Sequence, residues 1–291
     1  MADIKLLLVV ILWGASFVLA KIVLEYFTPV ETLAARLVLA IIVLEIITSA
    51  KKIRIEYSRS DLPVLLLASV VLSVHFFIQI TGLNYTSATN TGWLIATAPI
   101  FIAAASYLFL KERLQPLQIL GIMVATVGVV LLVSKGRPGQ LDWLKSVGDW
   151  LILISGITWT IYTIATLNIS RRMNPVGMIL FLLILPTIGF SAYVLATSDL
   201  AKFMSIPPKI LIAILTYGIL TMGVGHWLWL EGLSQKGAAK AGAFIYLEPI
   251  VTTLTALVLI GEKLTLLSYI GGFLIIGGVV LVEQRLKLFR Q

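Results

Sequence analysis

Glu248 stands near the middle of a long apolar run, Ala238–Ile260, with Pro249 directly after it. A charge at the centre of a membrane helix costs at least about 2.5–3.5 kcal/mol on insertion scales, so such a residue needs a reason. On a helix, Ala241, Phe244, Thr252 and Thr255 share its face. That small-to-polar stripe suits a cavity wall rather than lipid. Pro249 withholds one backbone donor and leaves a carbonyl one turn earlier unpaired. A carboxylate beside loosened backbone can bind an amine or carry a proton. The plainer alternative is a structural glutamate hydrogen-bonded to a neighbouring helix.

Lys21 and Arg36 lie inside the first two apolar runs. Both can receive a carboxylate or another anionic group, Arg36 through a two-pronged fork and Lys21 as a point charge. Otherwise Lys21 extends along its own stem to the interface, and Arg36 pairs with Glu25 or Glu31. His75 and Gln79 are spaced to share a helix face, and His226 lies in a later run. An imidazole titrates near ambient pH, so either histidine can relay protons. Either can equally be a hydrogen-bonded packing residue. Two histidines without the HExxH spacing make no metal site.

Aromatic and amide side chains recur at helical spacing. Trp13 and Phe17 share one face of the first run, Asn90, Trp93 and Thr97 one face of the fourth, and Ser155, Trp159, Tyr162 and Thr166 one face of the sixth. A ligand pocket is mostly apolar with a few convergent polar groups, which these faces can supply. Interhelical packing would use them as well. Trp143 and Trp150 read as interfacial anchors. Gly121, Ala125 and Gly128, with Gly271, Gly272, Gly277 and Gly278, give small-residue faces that let helices approach closely, as scaffold packing or a homodimer contact.

The elements that must hold these residues follow from composition. The chain has 291 residues, 59% hydrophobic and 12% charged, with a mean hydropathy of +1.03. A soluble domain carries about 25% charged residues, which excludes that class. A span uses about 20 residues. Apolar runs between charged or Gly/Pro breaks give ten: Leu6–Tyr26, Val30–Ala50, Leu62–Gly82, Ala88–Leu110, Leu117–Ser134, Asp149–Asn168, Pro175–Ala196, Ile210–Leu230, Ala238–Ile260 and Thr265–Val282. Runs of this length without alternation form helices rather than barrel strands, because lipid offers backbone groups no other partner. Val18-Leu19-Ala20 faintly resembles a cleavage site. Yet Asp3 offsets Lys5 and Trp13-Gly14 interrupts the run, so the first span is expected to remain in the mature protein. The absence of cysteine excludes a disulfide, a thiolate metal site and a cysteine nucleophile.

The net charge is +8. Termini and loops after even-numbered spans hold fourteen basic residues, among them Lys51, Lys52, Arg54, Arg171 and Arg172. The opposite side holds seven: Lys21, Lys135, Arg137, Lys145, Lys202, Lys209 and Lys263. Cytoplasmic loops keep the excess of Lys and Arg. Both termini are therefore expected in the cytoplasm, and the charge reflects this loop bias rather than nucleic-acid binding.

An offset of 150 residues aligns Gly82–Val133 with Gly232–Glu283 without gaps, at 15 identities over 52 positions. Gly92 matches Gly242, Pro99-Ile100 matches Pro249-Ile250, Glu112 matches Glu262, and Gly128-Val129-Val130-Leu131 matches Gly278-Val279-Val280-Leu281. Each repeat has five spans, an odd number, so the second copy is inverted. Inverted repeats about an axis in the membrane plane are a hallmark of secondary transporters. Trp13-Gly14-Ala15-Ser16-Phe17 resembles the opening motif of EamA-type members of the drug/metabolite transporter superfamily, and Ala35-Arg36-Leu37 resembles that family's second-helix arginine motif. Ala98-Pro99-Ile100 through Lys111-Glu112-Arg113, and Leu247-Glu248-Pro249 through Gly261-Glu262-Lys263, are similar to its paired Pro…Glu signatures. The resemblance implies ten helices in two inverted repeats and the movement of small metabolites. The second copy departs from the first at Gly156-Ile157-Thr158-Trp159 and has no partner for Arg36. Glu112-Arg113 and Glu262-Lys263 read as closure or capping features.

The expected fold is thus an all-α integral membrane protein of ten transmembrane helices. Residues 1–134 form the first repeat, 135–148 an outer connecting loop, 149–283 the inverted repeat and 284–291 a cytoplasmic tail. The expected function is secondary transport of small amphipathic metabolites, amino acids or drug-like compounds, by alternating access across the cytoplasmic (inner) membrane of a prokaryote, in the direction of export. No cofactor or enzyme activity is expected. Protons are the candidate coupling ion, lipid the surroundings, and the state monomer or homodimer. The cavity is expected between helices one, three and four and their counterparts six, eight and nine, with five and ten peripheral. An ATP-driven pump is excluded for want of a GxxxxGK[ST] loop. An intramembrane enzyme acting on a lipid or prenyl substrate would need clustered carboxylates for a metal, and the acids here are scattered. A non-transporting structural protein would leave Glu248 and the repeat without a use.

Overall fold

A computed structural model of the chain describes residues 2–133, 146–260 and 266–283. Within them helices follow one another and no strand occurs: α1 (Ala2–Leu24), α2 (Pro29–Ala50), α3 (Leu62–Tyr85), α4 (Ala88–Leu110), α5 (Pro116–Val133), α6 (Val147–Ser170), α7 (Pro175–Thr197), α8 (Pro208–Lys236), α9 (Ala238–Val258) and α10 (Leu266–Glu283). Eight are long and apolar enough to cross a membrane; α5 and α10 are shorter apolar helices. Most of the expected loop 135–148, with Lys135, Arg137, Trp143 and Lys145, lies outside the described residues. So do Ser134, Gly261-Glu262-Lys263, the start of the tenth run and the tail 284–291.

Local chemistry sets the ends. Thr28 and Glu31 form a capping box at the start of α2, and Ser146 and Asp149 form one at the start of α6. The second box starts α6 at Val147, inside the expected loop. Toward its end α8 runs to Lys236, beyond the expected Leu230, because Glu231, Gln235 and Lys236 remain good helix formers. It stops at Gly237, whose φ of +82° is open to glycine but strained for other residues.

Three helices are irregular, all near their middles. α4 breaks at Ala96 and Thr97, two residues before Pro99. α9 tightens to a 3-10 turn over Phe244–Leu247, just before Glu248-Pro249. In α8 the stretch Tyr217–Gly225 is π-helical. Widened turns of this kind are rare and leave backbone groups to be satisfied by other partners. The Pro99 and Pro249 breaks occupy equivalent places in the aligned halves.

A large buried core runs through the bundle, and a second, small one joins α4 and α9 to α5 and α10. α1 packs against α8 and α9, α3 against α6, and α2 against α7 and the π-helical part of α8, while α5 and α10 pair with each other. Large apolar residues such as Phe109, Val258 and Phe273 are exposed. Trp150, half exposed in the first turn of α6, fits an interfacial anchor. Ion pairs collect at the helix ends: Lys202–Glu31 (2.9 Å) and Lys209–Glu25 (3.1 Å) at one end of the bundle, Lys5–Glu231 (2.7 Å), Lys236–Asp3, Lys236–Glu283 and Arg172–Asp61 at the other.

Candidate functional site

The irregular turns meet around one cavity of about 50 Å³, enough for a few water molecules. α1 contributes Trp13, Ser16 and Phe17; α2 Arg36; α3 His75, Phe76 and Gln79; α4 Ile95 and Ala98; α6 Trp159. α8 contributes Tyr217, Thr221, Met222 and His226, and α9 Ile245 and Glu248. The expected helices are all present, α2 joins them, and neither α5 nor α10 takes part.

Arg36 is buried, and its guanidinium carbon lies 5.0 Å from the ring centroid of Phe76 and 4.8 Å from that of Tyr217. One terminal nitrogen donates to the Tyr217 hydroxyl; Nε and the other terminal nitrogen have no partner. The alternative pairing with Glu25 or Glu31 is not made, since those carboxylates bind Lys209 and Lys202. Across the cavity Glu248 is 2% exposed and forms no ion pair among the described residues. Its backbone carbonyl accepts from Thr252 Oγ1 at 2.9 Å.

The π-helical turn is held by side chains from the cavity. Trp13 Nε1 donates to the Thr221 carbonyl at 3.1 Å, and His226 Nδ1 lies 3.3 Å from the same oxygen. Thr221 Oγ1 donates back to the Tyr217 carbonyl. A widened turn therefore has its loosened carbonyl caught by an indole of α1. That indole packs edge-on to Trp159, with centroids 5.1 Å apart, and at 5.4 Å from Trp229. His75 Nδ1 lies 3.0 Å from the Ser155 carbonyl. A carbonyl only accepts, so in each histidine Nδ1 carries the proton and Nε2 is the nitrogen left for other partners. Among the described residues no group of three His, Cys, Asp or Glu could hold a metal ion.

Of the residues singled out in the sequence, Trp13, Phe17, Arg36, His75, Gln79, Trp159, His226 and Glu248 line this cavity. Six others lie elsewhere. Lys21 reaches the Asn84 carbonyl at the end of α3 (3.4 Å), and Asn90 donates to Asp149 (2.6 Å). Trp93 packs on a separate small core beside α5 and α10. Thr97 turns back to the Leu94 carbonyl within the α4 break. Tyr162 is buried behind Trp159, with ring centroids 4.9 Å apart. Thr252 joins α9 to the Gly14 carbonyl of α1 at 3.0 Å. Tyr217, Thr221, Met222 and Phe76 line the cavity without having been anticipated. The π-helical turn displaces the first three from regular periodicity, and Phe76 had no signal beyond adjacency to His75.

The sequence matches the EamA-like transporter family over residues 1–134 and 146–284, and the chain belongs to that family. An uncharacterized transporter of Archaeoglobus fulgidus is 29% identical over 283 residues, 96% of each chain. The uncharacterized transporter YyaM of Bacillus subtilis is 28% identical over 281 residues, 94% of this chain and 91% of the relative. A probable terminal-alkyne amino-acid exporter of Streptantibioticus cattleyicolor is 26% identical over 287 residues, 96% of this chain and 92% of the relative. The fold also matches a crystal structure with a TM-score of 0.78 at 18% identity, covering 97% of both chains. The protein is thus a multi-pass membrane protein of a transporter family.

Proposed function

We propose that the chain is a secondary transporter that exports small amphipathic metabolites, amino acids or drug-like compounds, across a prokaryotic inner membrane by alternating access. The observation that carries this reading is the central cavity, where Arg36 and Glu248, on helices from different halves, lie buried without an ion pair among the described residues. A purely structural bundle would pair such charges or replace them with apolar groups. At about 50 Å³ the cavity has no room for a metabolite, so the halves must part to admit one. Glu248 then receives an amine of the substrate or a coupling proton.

All ten helices cross the bilayer in this reading, residues 1–134 and 149–283 forming two inverted repeats with both termini cytoplasmic. Exchanged contacts support a two-fold relation. A Cβ on Gly92 would stand 2.7 Å from Thr252 Oγ1, and one on Gly242, the aligned glycine, 3.0 Å from Ile102, the residue aligned with Thr252. A Cβ on Gly121 would come 2.6 Å from the Gly278 carbonyl, and one on Gly128 2.7 Å from that of Gly271. Each contact maps onto the other when the halves are swapped. The symmetry stops at the cavity, where Glu248 is aligned with Ala98. Two interchangeable halves can exchange shapes while one asymmetric site binds.

The test is counterflow in proteoliposomes without ATP, using a labelled amino-acid mixture and a panel of organic cations. Accelerated exchange of any member over protein-free liposomes is expected. Absence of exchange for every compound, in protein shown to be folded, would overturn the reading.

A further inference from the structure

Resting on the reading of the central cavity as the substrate site, we infer that Arg36 and Tyr217 form a receptor for a planar carboxylate, so that the transported compounds carry one. Two side chains fix the guanidinium: Phe76, whose ring centroid is 5.0 Å from its carbon, and Tyr217, whose hydroxyl accepts from one terminal nitrogen. What remains is the edge formed by Nε and the second terminal nitrogen, both buried and both without a partner. Two parallel N–H donors on one edge match the two oxygens of a carboxylate. In the narrow cavity that edge is buried, and parting of the halves would give a substrate access to it.

The same geometry selects against other ligands. An organic cation without an anionic group would share a low-dielectric cavity with Arg36 and leave the buried edge unsatisfied. A phosphate dianion would face Glu248 with one fixed cation to balance it. A compound with a carboxylate for Arg36 and an amine for Glu248 satisfies both poles. Tyr217 is a positioning residue here, since it touches Arg36 and holds the direction in which the fork points. Its place is set by the π-helical turn that starts with it, and by Gly218, where a Cβ would meet Leu39 of α2 at 2.7 Å.

The test uses purified full-length protein in nanodiscs, with acetate, glycine and methylammonium as probes at constant ionic strength. Trp13 and Trp159 at the cavity supply a fluorescence signal. Saturable responses to acetate and glycine are expected, with a weaker response to methylammonium. Arg36→Lys keeps the charge and loses the fork, and should weaken acetate and glycine by about tenfold or more. Tyr217→Phe keeps the ring and loses the acceptor, and should weaken both carboxylates while leaving methylammonium unchanged, which a merely structural role would not do. If either variant fails to fold, the wild-type ranking still decides. Methylammonium binding in preference to acetate, equal carboxylate binding by wild type and Arg36→Lys, or no carboxylate response in the wild type would each overturn the inference. Arg36-dependent carboxylate binding without counterflow would instead keep the receptor and remove the transport reading.

Discussion

Arg36 and Glu248 line the same cavity from α2 and α9, yet they form no ion pair with each other or with any other described residue. Opposite charges in a low-dielectric interior attract strongly, so keeping them apart takes structure. The π-helical turn and Phe76 immobilise the guanidinium, and the α9 turn before Pro249 fixes where Glu248 emerges. A direct pair would satisfy both groups and leave nothing for a substrate. Separation keeps both available at the expense of stability.

That expense is measurable. Replacing Arg36 by Met removes two buried, unpartnered nitrogens while keeping a long side chain beside Phe76 and Tyr217. Unsatisfied buried groups cost about 1–3 kcal/mol, and exchanging buried charge for apolar volume is often neutral or stabilising. Arg36→Met alone would orphan the buried Tyr217 hydroxyl that accepts from it. It is therefore the double variant Arg36→Met/Tyr217→Phe that should match or exceed the wild-type melting temperature in detergent while losing counterflow. A clear fall in melting temperature would make Arg36 a structural residue.

Glu248→Gln preserves shape and hydrogen bonding while removing charge. The variant should insert and fold normally. If the carboxylate is the coupling group, substrate-driven proton movement or the pH dependence of transport should disappear. If it binds the substrate amine, affinity should fall while coupling persists. Unchanged affinity, rate and pH profile would reduce Glu248 to a packing residue.

How far the site was legible depended on the chemistry of each residue. Glu248 and Arg36 were visible because charge inside an apolar run is expensive. Trp13 was visible through the face it shares with Phe17 and the motif Trp13-Gly14-Ala15-Ser16-Phe17, and Trp159 because Ser155, Tyr162 and Thr166 share its face. Tyr217 and Thr221 were hidden because the α-helical period fails across a π-helical turn, and an isolated tyrosine in an apolar run looks like core. Asn90 and Trp93 precede the break at Ala96–Thr97 and face Asp149 and the small core beside α5 and α10, while the neighbouring face, with Ile95 and Ala98, reaches the cavity. Spacing groups residues by face without saying which face turns inward. The helices themselves were the easy part, since hydropathy reports each span independently of its neighbours.

Orientation is open to direct labelling, because the chain has no cysteine of its own. Ser58 lies in the exposed segment after α2, and Met204, 93% exposed, lies between α7 and α8. With cytoplasmic termini, a membrane-impermeant maleimide applied to intact cells should label Met204→Cys and spare Ser58→Cys. The reverse pattern would invert the topology, and equal labelling would indicate both orientations.

The pairing of α5 with α10 predicts a contrast between adjacent glycines. A Cβ on Gly278 would stand 2.6 Å from the Ala125 nitrogen and 2.6 Å from the Gly121 carbonyl. These are backbone atoms, which cannot rotate away, so the helices themselves must separate. Gly277, one residue earlier, faces open space, with nothing within 4 Å of its Cβ position. Overpacking a close contact costs about 1–3 kcal/mol, so Gly278→Ala should lower the melting temperature and Gly277→Ala should not. Neither α5 nor α10 lines the cavity. Substrate affinity in the folded fraction of Gly278→Ala should therefore remain that of the wild type. An affinity loss at unchanged stability would place this helix pair in the transport pathway rather than in the scaffold. A change of oligomeric state in Gly277→Ala would instead assign the open glycine face to a dimer contact.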